Sequence, residues 1–154
     1  MSGAPKLPLW LLDTNILSKV IKDPDGALGQ RLRQVSDEHP GALVTSVINQ
    51  CELSFGATRV NSAALQGKIF NLLQLIPALP LSADVVAHYA TIRTHLERQG
   101  TPIGPNDTLI AAHALAMGAT LVSGDAEFAR VPGLKVENWL LSEPQPSAGG
   151  LQAK

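Results

Sequence analysis

Four carboxylates in this chain stand where apolar segments give way to polar ones: Asp13, Glu52, Asp107 and Asp125. Asp13 ends the continuous apolar run 9–12, and Asp125 follows Thr120-Leu121-Val122-Ser123-Gly124 in the same relation to its own run. Glu52 lies a turn and a half into a helical segment that begins as soon as the apolar run 42–45 closes at Ser46. Asp107 opens an almost wholly apolar helical segment, delivered by the rigid loop Thr101-Pro102-Ile103-Gly104-Pro105. Each therefore falls at the C-terminal end of a strand or in the first turns of a helix, where open α/β sheets place their ligand sites. Brought together they repel, since two unit charges about 4 Å apart interact at about 4 kcal/mol with an effective dielectric near 20. A folded chain tolerates such a group by protonating a member or by holding a cation. Oxygen ligands without thiolate or imidazole select hard ions, Mg²⁺ or Mn²⁺. An ion so held keeps waters, can orient one as a nucleophile and can neutralise charge on a phosphodiester.

Each residue alone has an ordinary explanation. Asp13 can cap the following helix, and Glu52 can be a solvated helix residue. Asp107 can be there for the helix dipole, worth less than about 1 kcal/mol. The remaining chemistry-bearing residues point nowhere else. The single Cys51 excludes an internal disulfide or thiolate cluster and reads as a small core residue. His88 and His95 lie two turns apart with Asp84 nearby, His39 sits in a loop and His113 on a later helix, none at metal-ligand spacing. No GxGxxG, P-loop, GxSxG, HExxH or CxxC motif occurs.

The elements that position the four acids follow from periodicity and punctuation. Apolar runs at 9–12, 42–45 and 120–123 are too short for helices and lack alternation, as in strands buried on both faces, and 136–139 reads as a last strand. The stretch 76–81, broken by Pro77 and Pro80, reads as an edge strand or extended connector. Helices are predicted over about 15–21, 27–35, 47–57, 61–75, 82–99 and 109–117, with a short helical turn at 127–131. Val47, Cys51 and Phe55 form one row of the third helix, and Leu65, Ile69 and Leu72 an apolar stripe on the fourth, suited to core or interface. Strands alternating with helices predict an α/β fold: one domain over 9–139, a central parallel sheet of four to five strands flanked by helices. Residues 1–8 and 142–154 read as flexible termini.

At 154 residues, with 45% hydrophobic and 16% charged residues, the chain can bury a substantial core. Its net charge of −1 excludes affinity for nucleic acid from a global basic field. It leaves a nuclease open, because a bound metal supplies positive charge at the reacting phosphate. No signal-peptide h-region or membrane span is visible, so a cytoplasmic protein is expected.

Taken in order, Leu-Leu-Asp13-Thr-Asn-Ile-Leu, Glu52 in a helix after Thr-Ser-Val, Ile-Gly-Pro-Asn-Asp107-Thr-Leu-Ile-Ala-Ala and Leu-Val-Ser-Gly-Asp125 resemble the motifs of PIN-domain ribonucleases. More narrowly they resemble the VapC-type toxins of type II toxin–antitoxin systems, over about 9–139. The resemblance implies a PIN-like domain that acts as a metal-dependent endoribonuclease, hydrolysing RNA such as tRNA or rRNA and leaving a 5′-phosphate. It makes Asp13 and Asp107 the main ligands of Mg²⁺, with Mn²⁺ as a possible substitute. Glu52 and Asp125 complete the acidic site, and Asn15 and Ser123 match supporting polar positions. It further implies homodimers and inhibition by a small VapB-type antitoxin that inserts a basic side chain among the carboxylates. A second reading, a non-catalytic RNA- or protein-binding module on the same fold, requires an acidic position to be missing, and none is. A receiver-like phosphoacceptor domain would need a lysine after a late strand end, which the chain lacks.

Overall fold

Successive residues of the central strands point into two different cores. A computed structural model of the protein describes residues 7–141; of the termini predicted to be flexible, 1–8 and 142–154, residues 1–6 and all of 142–154 lie outside the described residues. In β1 (Trp10–Leu12), Leu11 packs into one apolar cluster and Leu12 into the other. The same division separates Val44 from Leu43 in β2 (Leu43–Ser46) and Leu121 from Val122 in β4 (Thr120–Val122). This is why the runs are continuously apolar: both faces of the sheet are covered by helices.

The first cluster receives α5 (Val85–Arg98) and α6 (Pro105–Met117), and the second receives α1 (Thr14–Lys22), α2 (Ala27–Glu38), α3 (Val47–Arg59) and α4 (Ala63–Leu75). With β3 (Ala78–Leu79) and β5 (Val136–Glu137) the sheet has five strands, all parallel, in the order β3-β2-β1-β4-β5. The chain runs outward from β1 through β2 to β3, then returns to the other side of β1 for β4 and β5. The strand order thus reverses between β1 and β4, the place where an open α/β sheet leaves a crevice at its carboxyl edge. Pairing of Leu12 with Val122 puts Asp13 level with Ser123 at that crevice.

One sequence reading requires correction. Cys51 and Phe55 are exposed, and α3 buries Asn49, Leu53 and Ala57 instead. The helix is turned so that a polar residue faces inward, because Asn49 has partners there. The Leu65, Ile69 and Leu72 stripe belongs to the core: Ile69 is buried and the other two pack against the same cluster. Between these helices Asn61 takes φ 52°, a left-handed turn that asparagine tolerates, and Ser62 then caps α4 through a bond from Leu65 N–H. The remaining differences are boundary shifts; the short turn predicted at 127–131 is a 3₁₀ turn over Ala126–Arg130.

Candidate active site

Asp13 leaves β1 and stands at the N-cap position of α1, yet its side chain makes no capping bond. It points across the crevice instead. Ser123 Oγ donates to Asp13 Oδ2 at 2.7 Å, and Asn49 Nδ2 donates to Asp13 Oδ1 at 2.9 Å. With Asp13 only 5% exposed, burial lifts its carboxyl above the usual range; Ser123 and the Thr14 backbone pull it back, and the Glu52 charge adds to the rise.

A second chain of bonds orients Glu52. The fully buried Asn49 fixes its own amide by accepting from Ser46 N–H at 3.2 Å. Its Nδ2 also donates to Thr14 Oγ1 at 2.9 Å, and the Thr14 hydroxyl donates in turn to Glu52 Oε1. Ser46 anchors this end of α3: its Oγ accepts from Ile48 N–H and lies 2.8 Å from Nδ1 of the buried His113 on α6. One threonine and one asparagine therefore tie the carboxylate after β1 to the carboxylate after β2.

Asp107 sits in the first turn of α6, which Pro105 opens and which Gly118 closes in the left-handed conformation at φ 66°. Its carboxyl is pushed up to about 6, first by burial and then by the charges of Asp13, Asp125, Glu52 and Glu127. Every charged neighbour named there is another carboxylate. Asp125 accepts from Glu127 N–H at 2.9 Å, capping the 3₁₀ turn, while its own N–H donates to Ser123 Oγ at 3.0 Å. Carboxylate oxygens of Asp107, Asp125 and Glu127 lie within 4.8 Å of one another.

The structure thus gathers Asp13, Glu52, Asp107 and Asp125 into the wall of one open cleft of about 650 Å³, which Asn15 also lines. Asn15 Oδ1 accepts from Gly124 N–H at 3.2 Å and holds the segment after β4 against α1. Ser123 is buried behind the cleft and bridges Asp13 to Asp125. Sequence reading missed Glu127, Asn49 and Thr14. The signal for Glu127 was the Asp-X-Glu spacing of a capped turn; for Asn49 it was an asparagine three residues after the Ser46 cap. All-oxygen donors pressed together against their mutual repulsion are a donor set suited to a hard divalent cation.

A parallel α/β sheet with carboxylates collected at its switch point is the arrangement that the PIN resemblance implies, and the PIN domain family model matches residues 10–134. The chain belongs to this family, among its VapC ribonucleases. It is 34% identical to Ribonuclease VapC2 of Rickettsia felis over 133 residues, covering 85% of this chain and 98% of that protein. It is 33% identical to the tRNA(fMet)-specific endonuclease VapC of Shigella flexneri over 136 residues, 84% of this chain and 97% of that protein. Among solved structures, a chain of the Rickettsia felis VapBC2 complex bound to a promoter DNA fragment superposes with a TM-score of 0.77 at 33% identity, covering 85% of this chain and 98% of that one. A chain of DNA-bound VapBC from Salmonella typhimurium gives 0.76 at 29% identity, covering 86% and 99%.

Proposed function

We propose that this protein is a metal-dependent endoribonuclease, the toxin of a toxin–antitoxin pair. The observation that carries this reading is the gathering of Asp13, Glu52, Asp107 and Asp125 in one cleft, where burial first and then the acidic neighbours push the Asp107 carboxyl up to about 6. Asp13 and Asp107 would hold Mg²⁺, or Mn²⁺ in its place, with Asp125 and Glu127 alongside. When bound, the ion supplies positive charge at the scissile phosphate and lowers the pKa of a coordinated water. The chain's own residues do the positioning. Ser123 and Asn49 fix both oxygens of Asp13, and Thr14 fixes one oxygen of Glu52. Glu52 Oε2 then accepts the proton of the attacking water, which is a general-base role.

RNA as substrate is supported by the names of the relatives, and tRNA in particular by the Shigella flexneri protein. A small VapB-type antitoxin is supported by the VapBC complexes among the structural neighbours. The cleft would attract a basic antitoxin side chain. Homodimerisation draws support from Phe55, Phe70 and Leu75 on α3 and α4, which the single chain leaves 64%, 65% and 77% exposed. No helix among the described residues is long and apolar enough to cross a membrane; a cytoplasmic location fits the proposed RNA substrate.

The test is cleavage of total cellular RNA by the purified chain, free of antitoxin, with Mg²⁺, Mn²⁺ or EDTA, beside Asp13→Asn and Asp107→Asn. Discrete metal-dependent fragments from the wild type alone support the reading. Equal fragments from both variants sink it.

A further inference from the structure

The acidic cleft is not a closed bowl. It continues into a second hollow of about 540 Å³, and the two share Lys19 and Leu140 in their walls. Beyond Lys19 the second hollow is lined by Gln30, Arg31, Gln34 and Trp139. We propose that this groove, from Lys22 and Lys19 to Arg31, holds the phosphates of RNA nucleotides flanking the scissile bond. The proposal rests on the endoribonuclease reading and adds where the substrate strand lies.

Three cations mark the path, and among the described residues none is spent on a carboxylate. Lys19 and Lys22 occupy the last turn of α1 and line the same cleft as Asp13, Glu52, Asp107 and Asp125. Among the described residues, neither lies within 4.0 Å of a carboxylate oxygen; the ion pairs of the chain are elsewhere. The two project from one side of the helix, as residues three apart do. Among the described residues Arg31 is also without an ion pair, and its guanidinium lies 4.4 Å from the centroid of the Trp139 ring. That ring is a fixed platform: Trp139 is 4% exposed and its indole N–H donates to Glu137 Oε1 at 2.8 Å. A guanidinium held over an indole keeps N–H groups for phosphate oxygens at little entropic cost. The one carboxylate in the second hollow, Asp23, folds back over its own turn, where a Cβ at Gly26 would meet its Oδ2 at 2.3 Å.

Helix-dipole compensation explains a lysine at the end of α1, and stacking explains Arg31. Neither explains why Lys19 and Lys22 line the acidic cleft itself while Arg31 lines the hollow that adjoins it. Electrostatics requires such a path in this chain: the carboxylates that would hold the ion repel every phosphate except the one the ion neutralises. Flanking phosphates need cations of their own, and the net charge of −1 supplies no general field.

The experiment is binding of a labelled, unstructured single-stranded RNA to the Asp107→Asn protein, read by fluorescence anisotropy across a series of KCl concentrations. Each phosphate contact to a single strand contributes about 0.7 to the slope of log affinity against log salt. Lys19→Gln and Arg31→Gln are each expected to lower that slope by about 0.7 and to weaken binding several-fold, with Lys19→Arg restoring it. Arg98→Gln, in the last turn of α5 on the other face of the sheet, is expected to leave the slope unchanged. Slopes for Lys19→Gln and Arg31→Gln equal to that of Arg98→Gln overturn the proposal, as does the absence of RNA binding at any salt. Sensitivity of these variants toward poly-glutamate but not RNA also overturns it and makes the groove a peptide site. Cleavage by the wild type, measured in parallel, reports separately on the nuclease reading.

Discussion

Ser123 donates its hydroxyl proton to Asp13 Oδ2 at 2.7 Å across the gap between β4 and β1. That gap is the switch point of the sheet, so one short bond joins the two strand ends on which the acidic cleft is built. The hydroxyl also accepts from Asp125 N–H at 3.0 Å, which makes Ser123 the common support of both aspartates.

Ser123→Ala therefore removes a group that lowers the Asp13 carboxyl, leaving burial and the Glu52 charge less opposed. The carboxyl rises further above its ordinary range. The expected result is a stability loss on the order of 1–3 kcal/mol and about a 10–100-fold fall in RNA cleavage. The acid limb of the pH–rate profile moves to higher pH. A variant slowed equally at all pH values would show that Ser123 only packs.

Asp107 makes a prediction about the metal-free protein. Its folded carboxyl sits at about 6 against an ordinary value of 3.8. Between these values the folded state holds more protons than the unfolded chain, so raising the pH through that window destabilises the fold. Asp107→Asn removes this contribution and is expected to melt higher than wild type above pH 6 without divalent ions. The advantage shrinks as the pH falls toward 4. Mg²⁺ is expected to stabilise the wild type and not the variant. A wild type that melts above Asp107→Asn at pH 7 in EDTA contradicts the clustering of charge.

His113 contributes with the opposite sign. Its ring is buried between Ser46 Oγ at Nδ1 and the Pro80 carbonyl, and burial lowers its pKa. The folded state binds the proton less readily than the unfolded chain, so stability from the neutral ring is lost as the pH falls below about 6.5. In His113→Gln, which keeps a donor for Pro80, the unfolding free energy is expected to lose this dependence. Over pH 5 to 7 the stability difference between wild type and His113→Gln widens as the pH rises. A constant difference would mean the ring is not held neutral.

The site was legible in the sequence wherever a strand-end acid followed a run buried on both faces. Asp13 and Asp125 follow β1 and β4, and a short apolar run announces such strands without alignment or periodicity. The face of α3 was not legible, because hydropathy ranks Cys51 and Phe55 above Asn49. What turns the helix is the need of Asn49 for partners 35 and 36 residues earlier, at Thr14 and Asp13. Such partners become visible only once β1 and β2 are paired. His113 was hidden for the same reason, since Ser46 lies 67 residues before it.

That inward turn of α3 carries the last prediction. Asn49 spends one amide proton on Asp13 and points the other at Thr14, whose hydroxyl can then donate only toward Glu52. A threonine hydroxyl has one proton, so the direction of the chain is set by Asn49. Thr14→Val keeps the shape of the side chain and deletes both the acceptor and the donor. It is expected to lower cleavage about 10–100-fold and leave the affinity for Mg²⁺ nearly unchanged, because Asp13 keeps its bonds to Asn49 and Ser123. Thr14→Ser, which restores the hydroxyl, is expected to recover most of the rate. Asn49→Ala removes support from Asp13 as well and is expected to weaken both rate and Mg²⁺ affinity. The discriminating measurement is a Mg²⁺ titration of cleavage for all three variants. If Thr14→Val shifts the Mg²⁺ dependence as far as Asn49→Ala does, the threonine acts through Asp13 and not through Glu52.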